Sequence, residues 1–323
     1  VHKNGVLTLW KDGALVSAQT LGNISDISRP MYLGRSYLNT YFNGYLDDVR
    51  MYSTALSTST IQTLYNAGAS TKVNVSLSPP QSLGQTNLMT GLVGWWTFDG
   101  KDTNWATGVT NDKSGNSNNG QLINMSTSTS VVRGKLGQGL KFDGISGASS
   151  GTYVNVGSPT TLTNLSALTV SVWAKTNGYG VSGQGVLVSK KSWYGAGDGW
   201  LFSVNSSYHD IDFFRKYDGG TSLDVLSTAN TLTTSDFGKW IHWTVTTDGT
   251  ANASGVHIYK NGVDVTGTTV TNGVGNRYSD AAINLELGNV LYNQTFNGVL
   301  DDIRVYNRVL SVTEIKQLYN MGK

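Results

Sequence analysis

The chain reads as an all-β protein, an antiparallel β-sandwich with one short helix closing each of two repeats. Three observations predict this. Short apolar runs alternate with period two, as in LTVSVWA at Leu168–Ala174 and WIHWTVT at Trp240–Thr246. Asn-Gly and Asp-Gly stand between apolar runs at Lys260-Asn261-Gly262 and Lys11-Asp12-Gly13, the strongest short-range hairpin signal. Many further short β-runs follow one another, each bounded by clusters of Gly, Asn, Ser and Asp.

Composition supports a packed core on an unusually polar chain. Only 14 % of the 323 residues are charged, against about 25 % in an ordinary domain. Yet 38 % are hydrophobic, and nine Trp, sixteen Tyr and eight Phe supply large buried areas. Disorder is therefore not expected. A net charge of +2 without a basic run argues against nucleic-acid binding. No apolar stretch approaches the roughly 18 residues of a membrane helix, so no membrane insertion is expected. The absence of cysteine removes disulfides, thiol catalysis and cysteine-ligated metals. A low-charge, cysteine-free surface rich in Ser, Thr, Asn and Gly points to an extracellular or cell-surface location. The chain opens at Val1 with neither a start methionine nor a signal peptide, so the expectation is a product processed or cut from something longer.

An internal repeat sets the domain organisation. Phe42–Gly68 (FNGYLDDVRMYSTALSTSTIQTLYNAG) and Phe296–Gly322 (FNGVLDDIRVYNRVLSVTEIKQLYNMG) agree at 15 of 27 positions without a gap. Upstream, TLWKDG at Thr8–Gly13 answers HIYKNG at His257–Gly262. Residues 1–68 thus read as the C-terminal part of one repeat, residues 69–90 with Ser78-Pro79-Pro80 as a linker, and residues 91–323 as a complete repeat. The helix of the complete repeat is predicted over Val312–Leu318, where Ser311 and Glu314 form a capping box. In the first repeat Ser57 can cap, but Thr60 stands in the place of Glu314.

At this point the residues resemble a known family. GLVGWWTFDG from Gly91, NDKSGNSNNGQL, GKLGQGLKFDG, LTVSVWAK, KWIHWTVTTDG, HIYKNG and FNGVLDDIRVYNRVLS are similar, in that order, to laminin-G-like domains of the concanavalin A-like lectin/glucanase superfamily. The resemblance covers residues 91–323 from end to end and residues 5–68 as a C-terminal portion. It implies a jelly-roll of two curved sheets, usually in exported or surface proteins. It does not give an activity, because the superfamily hosts lectins, adhesion modules, glycanases and lyases.

Catalysis is the minority reading. The glucanases that the chain resembles use two glutamates a few residues apart on one strand, and a retaining mechanism needs carboxyls roughly 5–5.5 Å apart. Only two glutamates exist here, Glu286 on a predicted strand and Glu314 on the helix. Asp210 and Asp212 share a strand face beside His209 and offer an aspartate-based hydrolase or lyase as an alternative; the bland reading is a solvated strand face.

A structural calcium is a further expectation. In FNGVLDDIRVY, Asp301 shares strand parity with Ile303 and Val305, which points its carboxylate at the apolar side. Such a group needs backbone donors or a cation, and calcium takes six to eight oxygens. In related sandwiches an Asp of the final strand is joined by oxygens of the first strands, which here implies Asp99 and Gly144 beside Asp301. The alternative is that Asp301 accepts from loop amides with no ion.

For ligand binding, SWYGAGDGW at Ser192–Trp200 sets aromatics among glycines. Sugar rings stack on aromatic faces while a few polar groups orient their hydroxyls. Trp193, Tyr194, Trp200 and Tyr217 are the expected stacking residues, with Asp198 for hydroxyl recognition; core packing is the alternative reading. The four histidines, His2, His209, His242 and His257, show no ligand spacing and read as ordinary strand residues. The expected function is a non-catalytic lectin-like module binding carbohydrate or a cell-surface glycan for adhesion. The alternative is a structural adhesin or filament subunit that self-associates through the incomplete N-terminal repeat by strand complementation.

Overall fold

A computed structural model describes residues 2–3, 5–11, 14–21, 31–36, 40–44, 49–69, 88–145, 151–180, 183–192, 199–207, 210–289 and 294–323. The chain divides into two compact units, Val1–Ser82 and Leu83–Lys323.

The first unit holds strands β1 (His2–Lys3), β2 (Val6–Lys11) and β3 (Ala14–Thr20) in one antiparallel sheet, followed by helix α1 (Thr58–Ala69). Lys11 pairs with Ala14, the register that a two-residue hairpin loop imposes. Ser57 starts α1 as expected: its Oγ accepts from the Thr60 amide at 3.2 Å and meets the Thr60 hydroxyl at 2.8 Å.

The second unit begins with β4 (Leu92–Trp96), β5 (Thr103–Asn104), β6 (Val109–Thr110), β7 (Gly120–Ile123), β8 (Val131–Arg133), β9 (Gln138–Asp143) and β10 (Tyr153–Gly157). It continues with β11 (Leu168–Gly178), β12 (Gln184–Lys190), β13 (Trp200–Asn205), β14 (Asp210–Arg215), β15 (Leu223–Ser227) and β16 (Trp240–Thr247). Last come β17 (Val256–Lys260), β18 (Val263–Asp264), β19 (Thr266–Thr271), β20 (Leu285–Leu287), β21 (Asn297–Tyr306) and helix α2 (Val312–Met321). A ten-stranded sheet runs β19-β15-β14-β13-β12-β20-β10-β7-β6-β5, and an eight-stranded sheet runs β18-β17-β16-β11-β21-β9-β8, with β4 also on β21. Every pairing between described strands is antiparallel, as the alternating runs predict.

The two sheets enclose one core. Leu168, Val170, Val172 and Ala174 of β11 face Val188, Phe202, Phe213 and Leu287 of the other sheet within a single buried cluster that also holds Trp96 and Trp243. A second cluster lies on the far side of the eight-stranded sheet, where Ile315 and Leu318 of α2 pack on Trp95, Tyr259 and Tyr306. That covering explains why β11 is buried on both faces although its sequence alternates. The capping box of α2 is formed as predicted, with Ser311 and Glu314 exchanging side-chain and backbone bonds. Asn261 and Gly262 take φ of 52° and 78°, the left-handed pair that a two-residue hairpin of type I′ demands.

One local feature overturns the parity reading of the last strand. Ser171 pairs with Arg304, but Trp173 pairs with Asp301, so β21 carries one extra residue there. The extra residue is Asp302, whose φ is +47°. Leu300, Ile303 and Val305 all face the core, and Asp301 is thereby turned to the outer face, opposite Trp173.

Candidate functional site

One concave site among the described residues lies where the chain passes from one sheet to the other. β17 and β18 form the edge of the eight-stranded sheet, and β19 forms the edge of the ten-stranded one. Between them opens a groove of about 550 Å³, lined by Asn252, Ser254, His257, Asp264, Val270 and Asn272 among others. This is within the roughly 300–1,000 Å³ range of small-molecule sites.

Local hydrogen bonding orients each polar group in the groove. Asn252 Oδ1 accepts from the Ser254 amide at 3.0 Å, and Asn272 Oδ1 accepts from the Ala253 amide at 2.8 Å. Both carbonyl oxygens are thus committed to backbone, which leaves each Nδ2 as the amide's donor. His257 Nδ1 and Asp264 Oδ2 lie 3.0 Å apart, and Asp264 Oδ1 accepts from the amide and hydroxyl of Thr266 at 2.9 and 2.6 Å. Partial burial alone pushes the Asp264 carboxyl up, but the Thr266 and His257 contacts outweigh it and hold the group below its ordinary range. Asp264 therefore stays ionised at neutral pH. Both side chains of the pair are nearly half exposed, so the pair contributes little to stability. The first repeat has Thr8 and Leu15 at these two positions, so the strand–hairpin does not require them. That difference between the repeats is the sequence signal that sets this groove apart.

The aromatic residues expected to stack on sugar are divided by the structure. Trp193, Tyr194 and Asp198 lie outside the described residues. Trp200 and Tyr217 belong to the core, at 1 % and 3 % exposure, and this corrects their assignment as binding residues: a ring with no free face cannot stack on a sugar. Trp200 points inward because it opens β13 in phase with Phe202 and Val204. Tyr217 is held by its hydroxyl, which donates to the Thr250 carbonyl at 2.9 Å.

The aspartates of β14 are also not where a solvated face would leave them. Asp210 and Asp212 do share one side of the strand, opposite Ile211 and Phe213, but both are buried. Ser203 donates to Asp212 Oδ1, and Gln184 Nε2 donates to Asp212 Oδ2 at 3.1 Å. Burial, with Asp224 adding like charge, pushes Asp212 up to about 7 against the Ser203 bond. Burial and the charge of Asp212 push Asp210 to about 7 as well. His209 lies outside the described residues. The two glutamates are engaged elsewhere. Glu286 is buried on β20 and accepts from Asn289 at 3.4 Å. Glu314 sits in the cap of α2, bound to Arg308 at 2.6 Å.

The expected calcium ligands are brought together only in part. The loop Gly134–Gln138 joins Asp99 and Asp301: the Gln138 amide donates to Asp99 Oδ1 at 2.9 Å and the Leu136 amide to Asp301 Oδ2 at 2.7 Å. Asp301 Oδ1 is buried without a hydrogen-bond partner among the described residues. Burial pushes the Asp301 carboxyl up to about 8 in spite of the Leu136 bond. Gly144 does not belong to this group. Asp143 pairs with Asn297, four residues along β21 from Asp301, a distance of about 13 Å at the rise of a strand. Among the described residues no three His, Cys, Asp or Glu side chains gather as a metal site.

Comparison with known proteins agrees with this architecture. The family profile described as the Concanavalin A-like lectin/glucanases superfamily matches residues 1–62 and 148–316. No curated protein matches the chain. Among solved structures, the binding domain of Paraclostridial Mosquitocidal Protein 1 is similar at 19 % identity and a TM-score of 0.51, over 72 % of this chain and 53 % of that one. The binding domain of Botulinum neurotoxin DC, solved in complex with SialylT, gives 15 % identity and a TM-score of 0.50 over 73 % and 53 %. Domain 4 of AbnA, an extracellular arabinanase from Geobacillus stearothermophilus, in complex with arabinotriose, gives 17 % and 0.46 over 71 % and 98 %. The match spans about half the length of the toxin binding domains. With the family profile matching well over half of the chain, the chain belongs to the concanavalin A-like lectin/glucanases superfamily.

Proposed function

We propose that residues 91–323 form a non-catalytic, lectin-like module of an exported or surface protein, and that it binds carbohydrate in the groove at the sandwich edge. The carrying observation is the groove itself. Two oriented amide donors, the Ser254 hydroxyl and the His257–Asp264 pair converge beside the apolar surface of Val270, and the pair is absent from the first repeat. Sugars need this mixture of donors, an ionised acceptor and a small apolar contact. A neurotoxin domain of similar fold was solved with SialylT; that likeness supports the fold, and the ligand reading rests on the groove. The loop with Trp193, Tyr194 and Asp198 is proposed as a second contact, on its sequence alone. Against catalysis stand the burial of Asp210 and Asp212 and the structural engagement of both glutamates.

A calcium ion at Asp301, with Asp99 as a second carboxylate, is part of the same proposal. Its support is the buried, unpartnered Oδ1 of Asp301. The ion would neutralise that carboxylate and tie the Gly134–Gln138 loop to β21. A melting curve with and without chelator tests it, and an unchanged midpoint refutes it.

The carbohydrate reading is tested by a glycan array with the full chain. The expected result is saturable binding that His257→Ala and Ser254→Ala each weaken at least tenfold without a change in melting temperature. A blank array from a folded protein overturns it.

A further inference from the structure

We infer that the groove at the sandwich edge takes uncharged glycans and rejects acidic ones, and that Asp264 is the residue that sets this selectivity. The inference rests on the carbohydrate reading above and carries it to the chemical class of the sugar.

The lining of the groove holds no Lys or Arg, and with histidine counted neutral its one formal charge is the Asp264 carboxylate. The next cation along β17 is engaged elsewhere: Lys260 Nζ lies 2.7 Å from the Thr231 carbonyl oxygen and 3.2 Å from Asp236 Oδ2. A chain with a net charge of +2 thus presents a negative groove. The charge is held in place by the hairpin. Asp264 pairs with Tyr259, which sets it diagonally beside His257, two residues back on the same face of β17.

Proton bookkeeping then fixes what a ligand must bring. An ionised carboxylate only accepts, so His257 Nδ1, 3.0 Å from Asp264 Oδ2, carries the proton between them. A neutral imidazole with its proton on Nδ1 keeps a lone pair on Nε2. Asp264 Oδ1 already takes the amide and the hydroxyl of Thr266. With His257 on Oδ2, three of the roughly four acceptor positions of the carboxylate are filled. The remaining position and His257 Nε2 both ask for a donor. A sugar hydroxyl supplies one, and its bond to an ionised oxygen is stronger than a neutral one. The oxygens of a carboxylate or sulfate have no proton to give and bring like charge. Two such charges about 6 Å apart at a half-exposed site weaken binding roughly tenfold at low salt. The apolar contact suits an uncharged ring as well: Val270, paired with Val225 on the edge strand, is 44 % exposed.

The test is an array of matched pairs probed with the full chain at pH 8 and low salt: lactose beside sialyllactose, and galactose oligomers beside galacturonate oligomers. Each uncharged member should bind about tenfold tighter than its acidic counterpart. Asp264→Asn keeps an acceptor for the Thr266 bonds but removes the charge. It should weaken the uncharged members, strengthen the acidic ones and bring each pair within about threefold. Raising the salt to about 0.5 M should narrow the gap in the parent and leave that of the variant as it is. Acidic members that bind equally well or tighter, and are lost on Ser254→Ala, overturn this inference and leave the groove as a carbohydrate site. A gap that salt does not change, or binding confined to glucosamine oligomers with free ammonium groups, overturns it in the same way. A blank array from a folded protein, or glycan binding that neither Asp264→Asn nor Ser254→Ala alters, overturns the carbohydrate reading of the groove and this inference with it.

Discussion

Asp301 stands directly opposite Trp173 in the pairing of β21 with β11. Both are on the outer face of the eight-stranded sheet, although simple alternation along FNGVLDDIRVY puts Asp301 in the core. The shift is the work of Asp302, the extra residue of a bulge with φ at +47°. Asp302 is also a polar anchor. Its Oδ1 accepts from Trp95 Nε1 at 2.6 Å, and its Oδ2 lies 3.0 Å from Arg304 Nη2, beneath α2.

The bulge makes Asp302 a sensitive position. Asp302→Ala leaves the Arg304 guanidinium buried and unpaired, which costs about 3–5 kcal/mol, or on the order of 10 °C in melting temperature. Asp302→Asn should cost distinctly less, because Asn tolerates the left-handed conformation and keeps an acceptor for Trp95. Calorimetry of the two variants decides it; equal midpoints close to the parent would show that the anchor is unimportant.

Asp212 should make the fold less stable in mild alkali. Its pKa rises from about 3.9 in the unfolded chain to about 7 in the folded one. The folded state therefore holds the proton more tightly. The penalty is absent below about pH 4, grows through the interval and is complete above about pH 7. Asp212→Asn should raise the melting temperature at pH 8 and leave it nearly unchanged at pH 4. Parallel melting-temperature profiles for parent and variant across this window would refute the assignment.

Glu314 behaves in the opposite sense. The Arg308 bond, against partial burial and with help from Ser311, lowers its carboxyl to about 2. Its stabilisation is present above the unfolded value of about 4.3 and is lost as pH falls through about 2. The melting difference between the parent and Glu314→Gln should be open at pH 6 and close on acidification to pH 2. Ser311→Ala removes the cap itself and should cost about 1 kcal/mol at pH 6 and less near pH 2, where its bond to the ionised Glu314 carboxylate is lost.

The groove allows a substitution set by the protein's own other repeat. His257→Thr with Asp264→Leu installs the residues found at Thr8 and Leu15. The double variant should melt within about 4 °C of the parent, since the exposed pair is worth little and the Thr266 bonds about 1 kcal/mol, and should lose the array signal. Binding that survives the exchange would move the site away from the sandwich edge.

Much of this protein is determined by sequence alone, because the determinants are local. Period-two alternation, the Asn261-Gly262 turn and the Ser311–Glu314 box each act within a few residues, so strands, hairpin and helix end are legible without coordinates. The repeat is legible for the same reason, as a match of neighbours to neighbours. Tertiary structure decided the rest, because burial is a property of what covers a side chain. Trp200 sits beside a glycine-rich loop, yet packing in phase with Phe202 closes it into the core. Asp212 looks like a solvated strand residue until Ser203 and Gln184 arrive from neighbouring strands to bind it. His257 and Asp264 line a groove only where two sheet edges meet. Leu9 and Ile258 occupy matching places in matching strands, yet Ile258 is packed in the core between the two sheets while Leu9 faces water.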